Sequence, residues 1–133
     1  MVESESPAPP IQFSAPAEFQ GQAGLWTPEH FLLAAVAACF ITTFRAIAEL
    51  SKFAAEALEV SVEGRIEKAE EGLRFTEIVL KPTLTVASES ERERAARLLE
   101  KAERSCLISR SLRSQVRMEP EVQILMTAQS PAA

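Results

Sequence analysis

Trp26-Thr27-Pro28-Glu29-His30-Phe31-Leu32-Leu33-Ala34-Ala35-Val36-Ala37-Ala38-Cys39-Phe40-Ile41-Thr42-Thr43-Phe44-Arg45 is the stretch whose reading decides the fold. Thr27 suits an N-cap, Pro28 then falls at the first helical position where its missing N–H costs nothing, and Glu29 stands near the positive helix end. Trp26 before the cap and Phe31 in the second turn are spaced to pack on one another. The run that follows is too uniformly apolar for a helix with a wet face. It also meets Arg45 before reaching the about 20 apolar residues that a bilayer span requires. The pattern predicts a buried central helix, no membrane partner, and a covering layer supplied by the rest of the chain.

The 133 residues, 47% of them hydrophobic, suffice for one domain with a core of ordinary size. A net charge of -5 argues against a nucleic-acid partner. The local cluster of Arg104, Arg110, Arg113 and Arg117 reads as a solvated face or helix end. Two cysteines are too few for a secreted disulfide scaffold, and the acidic, Pro- and Ser-rich N-terminus does not resemble a signal peptide. A cytoplasmic, reducing location is the expectation.

Outward from the helix, residues 1–10 read as a flexible arm, 11–127 as a single domain and 128–133 as a loose tail. The helical pattern continues past Arg45 and should end near Ala55 to Ala57. Leu58, Val60, Val62 and Ile66 alternate with polar residues as a strand, with Gly64 on the apolar face leaving room for a bulky neighbour. Glu70-Glu71-Gly72 reads as a tight turn. In the next strand Leu73 and Phe75 lie on one phase and Ile78, Leu80, Leu84 and Val86 on the other, which predicts a bulge near Thr76-Glu77. Pro82 pushes this strand toward an edge. Ser88 or Ser90 can cap an amphipathic helix carrying Ala95, Leu98, Leu99 and Ala102, followed by a break or short helix through Leu112. A closing strand with Val116, Met118, Val122, Ile124 and Met126 is interrupted at Pro120. The fold class is α+β, an antiparallel sheet packed on the long helix. One apolar helix is hard to bury with so few strands, so a homodimer is expected.

Short motifs for nucleotide binding, zinc hydrolysis, serine hydrolysis and thioredoxin-like redox chemistry are missing from the sequence. His30, the sole histidine, reads as a boundary residue of the helix start, and no ligand cluster of recognised spacing points to a metal or cofactor. What remains is Cys39 with Cys106. On composition Cys39 looks like a small core hydrophobe. A reactive thiolate there needs a cation or several donors. Arg45 lies about 9 Å along the helix and off the cysteine's face, and Glu29 about 15 Å before it.

The run Gly24 to Phe40, with a second cysteine at Cys106 after an amphipathic helix and a serine at Ser109, resembles the OsmC/Ohr family of osmotically inducible and organic hydroperoxide resistance proteins. The resemblance covers about Phe19 to Met126. It implies an intertwined homodimer with long central helices between two sheets and active sites at the interface. It further implies Cys39 as the peroxidatic cysteine, Cys106 as its resolving partner through an intrachain disulfide, an organic hydroperoxide as substrate and a dithiol as reductant. Glu29 would hold an arginine that lowers the thiol pKa. The chain departs from that pattern in three places. Met1 to Trp26 carries no basic residue, the N-terminal part is short by at least one strand, and Leu107 stands after Cys106 where many members have proline. Two functions follow from these features, a thiol-dependent peroxidase with an apolar pocket lined by Phe31, Phe40 and Phe44, or a non-catalytic dimeric stress protein that binds a small apolar ligand.

Overall fold

A computed structural model describes residues 1–3 and 6–125 of the chain. Met126 and the expected tail lie outside the described residues, as do positions 4 and 5 of the expected arm. Helix α1 spans Pro28–Leu50 and starts as its sequence predicts. The Thr27 side chain accepts from the His30 N–H at 3.1 Å, and His30 Nδ1 accepts from the Thr27 N–H at 3.2 Å. His30 thereby takes the place that Glu or Gln holds in a capping box. Trp26 stacks on Phe31, ring centroids 5.7 Å apart.

The end of α1 comes earlier than the periodicity suggests. Phe53 donates its N–H to the Ala48 carbonyl and Lys52 to that of Glu49, the paired bonds of a Schellman motif. Lys52 holds the left-handed position at φ 53°, where glycine is usual. Phe53 and Ala48 are both buried over this turn, and the Arg94 guanidinium lies 5.4 Å from the Phe53 ring.

Strands β1 (Ala57–Ala69) and β2 (Gly72–Val86) form a long antiparallel hairpin. Gly72 supplies the positive φ of its turn, 115°. The register runs Gly64↔Ile78, Arg65↔Glu77, then Ile66↔Phe75, so Thr76 is the extra residue of a bulge. That one residue brings Phe75 onto the face of Ile78, Leu80 and Leu84, resolving the phase change in the sequence. A Cβ at Gly64 would sit 2.6 Å from the Phe75 ring and 2.9 Å from Leu33, so the glycine leaves room for both side chains where α1 packs on the hairpin.

Helix α2 (Arg92–Ser105) buries Ala95, Leu98, Leu99 and Ala102, and the short helix α3 (Leu107–Arg110) follows it at once. Neither Ser88 nor Ser90 caps α2. Their hydroxyls bond to one another, 2.9 Å apart, and a 3-10 turn at Glu89–Glu91 leads into the helix. Strands β3 (Gln115–Met118) and β4 (Glu121–Ile124) then pair with β2, both in parallel. The sheet is therefore mixed, not antiparallel. The chain leaves the end of β2, returns along α2 and re-enters beside β2 in the same direction, as a crossover helix requires.

This crossover makes β2 the central strand, so Pro82 does not lie at an edge. Register is Leu80↔Met118 before the break and Thr83↔Glu121 after it, which sets Pro82 opposite Pro120. Pro82 has no N–H to offer toward this side, and the ladder is interrupted beside it, between β3 and β4.

The core lies between α1, α2 and one sheet face: Val36, Phe40, Phe44 and Ala48 against Ile78, Leu80, Leu84 and Val86. These four α1 residues recur every fourth position, so the single chain buries one stripe of the helix and leaves much of its surface partly open. The uniformly buried helix expected from composition is thus a half-covered one. By length and composition α1 could cross a membrane; in this domain its stripe is packed into the core.

Candidate active site

Cys39 sits beside the buried stripe of α1, between Val36 and Phe40, and is half-buried. Cys106 is fully buried at the junction of α2 and α3, where it serves as the last cap of one helix and the first of the next. Packing α2 and α3 against α1 brings the two thiols close enough for each to shift the other's ionisation. Both are free thiols.

The environment polarises this pair. Burial alone would raise the Cys39 thiol, but the Ile108 N–H, the Cys106 thiol, the Thr43 hydroxyl and the Leu107 N–H all favour its thiolate, and the pKa falls below the ordinary value. Thr43 Oγ1 lies 3.9 Å from Cys39 Sγ. Burial pushes the Cys106 thiol upward, and the donors from Ser109 counter this only in part. Ser109 Oγ donates to Cys106 Sγ at 3.4 Å. The shifts run in opposite directions, Cys39 toward thiolate and Cys106 toward thiol.

Glu29 is not part of this cluster within one chain. It lies ten residues earlier on α1, about 15 Å along the axis. Its Oε1 is buried without a hydrogen-bond partner among the described residues, and it lines a cavity with Glu18, Phe19, Ile66, Arg74 and Phe75. Arg45 is exposed and faces a separate groove beside Glu49, Phe53 and Glu56. Phe40 and Phe44 are core residues, Phe44 reaching the edge of that groove, while Phe31 is taken up by Trp26. An apolar cavity of about 460 Å³ opens instead at the helix start, among Gly24, Leu25, Trp26, His30, Leu33, Ala34 and Val62.

Sequence reasoning missed the donors around Cys39. Thr43 could have been found, since i and i+4 share a helix face. The N–H groups of Leu107 and Ile108 leave no mark in a side-chain pattern.

A long helix on a mixed sheet, with one thiol on that helix and a second at the hinge of two shorter ones, defines a two-cysteine α+β class. A family model described as OsmC-like protein matches residues 21–121, and the chain belongs to this OsmC/Ohr family of osmotically inducible and organic hydroperoxide resistance proteins. It is 31% identical over 114 residues to the protein YmaD of Bacillus subtilis, covering 84% of this chain and 76% of that one. An organic hydroperoxide resistance protein of Legionella pneumophila superposes with a TM-score of 0.70 at 26% identity, over 86% of this chain and 82% of that one. One from Elizabethkingia anophelis gives 0.69 at 21% identity, over 86% and 81%.

Proposed function

We propose that this chain is a thiol-dependent peroxidase that reduces organic hydroperoxides through Cys39 and Cys106. The observation that carries the reading is the polarised pair, Cys39 on α1 and Cys106 at the α2–α3 junction, one thiol held below and the other above the ordinary pKa and each shifting the other. The organic hydroperoxide resistance proteins among its structural neighbours support the substrate class. The Cys39 thiolate attacks the distal oxygen of the hydroperoxide, the O–O bond breaks, and the alkoxide takes a proton and leaves as the alcohol. Cys39 is left as a sulfenic acid. The Cys106 sulfur attacks that sulfur, water departs, and an intrachain disulfide forms. A dithiol of the cytoplasm then restores both thiols, and the scheme uses no cofactor.

The activating charge usual for such a thiolate is supplied here by peptide N–H groups and a hydroxyl, in place of an arginine. A second copy of the chain covers the open side of α1, where apolar surface is otherwise left wet. The unpartnered Glu29 carboxylate is assigned to that interface.

The test is stopped-flow mixing with cumene or t-butyl hydroperoxide. Stoichiometric loss of free thiol, abolished in Cys39→Ser, is the expected result. If both thiols survive excess hydroperoxide, the peroxidase reading fails. The apolar cavity beside Trp26 and Leu33 then favours the other reading, a non-catalytic stress protein that binds a small apolar ligand.

A further inference from the structure

Ser109 is buried, with 9% of its surface exposed, and its hydroxyl is directed at a sulfur. A serine in a helical turn ordinarily bonds back to a carbonyl one turn earlier, as Ser111 does to Leu107 at 2.9 Å. Ser109 instead donates to Cys106. The two cysteines also differ in access: Cys106 is fully buried and Cys39 partly open, so a dissolved thiol meets Cys39 first.

We propose that Ser109 is a positioning residue for the reductive half of the cycle, its hydrogen bond making Cys106 the leaving sulfur when the Cys39–Cys106 disulfide is opened by attack on Cys39. This rests on the peroxidase reading only for the source of the disulfide. In the step, a thiolate of the dithiol attacks Cys39 Sγ and forms a mixed disulfide with it. The Cys39–Cys106 bond breaks, and its electron pair stays on Cys106 Sγ, which accepts the Ser109 hydrogen bond and then a proton from solvent. The second thiol of the dithiol attacks its own tethered sulfur, closes a cyclic disulfide and releases Cys39 as thiolate. One dithiol loses two electrons and one protein disulfide gains them.

Exchange is faster when the leaving thiol is the better stabilised anion. Burial works against Cys106 in that role, and the donors from Ser109 are what oppose it. Without the hydroxyl a buried thiolate would have to depart unassisted.

The test starts from the full chain oxidised with diamide, so that the disulfide does not depend on hydroperoxide. Glutathione is added, the reaction is stopped in acid, and free thiols are alkylated in denaturant before peptide mass mapping. Glutathione on Cys39 and the alkyl group on Cys106 is the expected pattern. Ser109→Ala should slow reduction by dithiothreitol about tenfold, the effect of a hydrogen bond to a charged group, and Ser109→Thr should restore the rate. Oxidation of Cys39 in the first turnover should be unchanged. Glutathione on Cys106, wild-type reduction in Ser109→Ala, equal slowing of both half-reactions, or no disulfide with diamide would each overturn the proposal. A disulfide that forms with diamide but not with hydroperoxide overturns the peroxidase reading alone.

Discussion

Thr43 stands one helical turn beyond Cys39 on α1, its Oγ1 3.9 Å from the cysteine sulfur, and it is the donor that Cys39 finds on its own helix. Thr43→Val keeps the shape and removes the hydroxyl. The Cys39 pKa is held down by its donors, so the rate of its alkylation by iodoacetamide should rise with pH and level off before an ordinary thiol has ionised. The variant should shift that midpoint upward and lower the neutral-pH rate about threefold. An unmoved midpoint would remove Thr43 from the site.

Leu107 offers a sharper test, because its N–H is one of the donors to Cys39 and its side chain is 67% exposed. It opens α3, a position that tolerates proline, and Cys106 before it has φ -68° and ψ 113°, as a residue preceding proline prefers. Leu107→Pro should therefore fold, yet raise the Cys39 pKa and slow neutral-pH alkylation about tenfold. Leu107→Ala, which keeps the N–H, should match the parent. Equal behaviour of the two variants would exclude the peptide group as activator.

Lys52 holds φ 53° at the end of α1 with no Cβ-tolerant reason of its own. Lys52→Gly should raise the unfolding free energy by about 1 kcal/mol, the cost of a left-handed conformation for a residue with a side chain. Urea denaturation measures it. A loss of stability would mean that the lysine side chain contributes more than the strain costs.

Gly64→Ala places a methyl group 2.6 Å from the Phe75 ring and 2.9 Å from Leu33. Overpacking of this kind costs about 1–3 kcal/mol. Thermal melting should record the loss, and Phe75→Leu in the same chain should recover part of it. Full stability in Gly64→Ala would show that β1 and α1 separate freely.

Features set by neighbours in the sequence were legible. The Thr27-Pro28 start, the buried set Ala95, Leu98, Leu99 and Ala102, the Gly72 turn and the bulge at Thr76 each follow from short-range sterics or a period of 2 or 3.6 residues. The end of α1 was not, because a Schellman turn built on Lys52 carries no glycine to announce it. Strand direction was not, since parallel and antiparallel strands share one alternation and differ only in how the chain returns. Pro82 was misplaced for the same reason: its missing N–H is tolerated centrally because the ladder breaks beside it, between β3 and β4.

For the site the division is similar. Sequence by itself determined that a cysteine lies on a long apolar helix and a second at the end of an amphipathic one, and the family pattern named both as a pair. Only the tertiary structure decided that the two thiols come near enough to shift one another, in which direction each is shifted, and that Glu29 lies outside their cluster in one chain. The physical reason is that a thiol pKa is set by burial and by donors within a few ångströms. Most of those donors come from residues 106–109, which reach Cys39 only when α2 and α3 fold back onto α1.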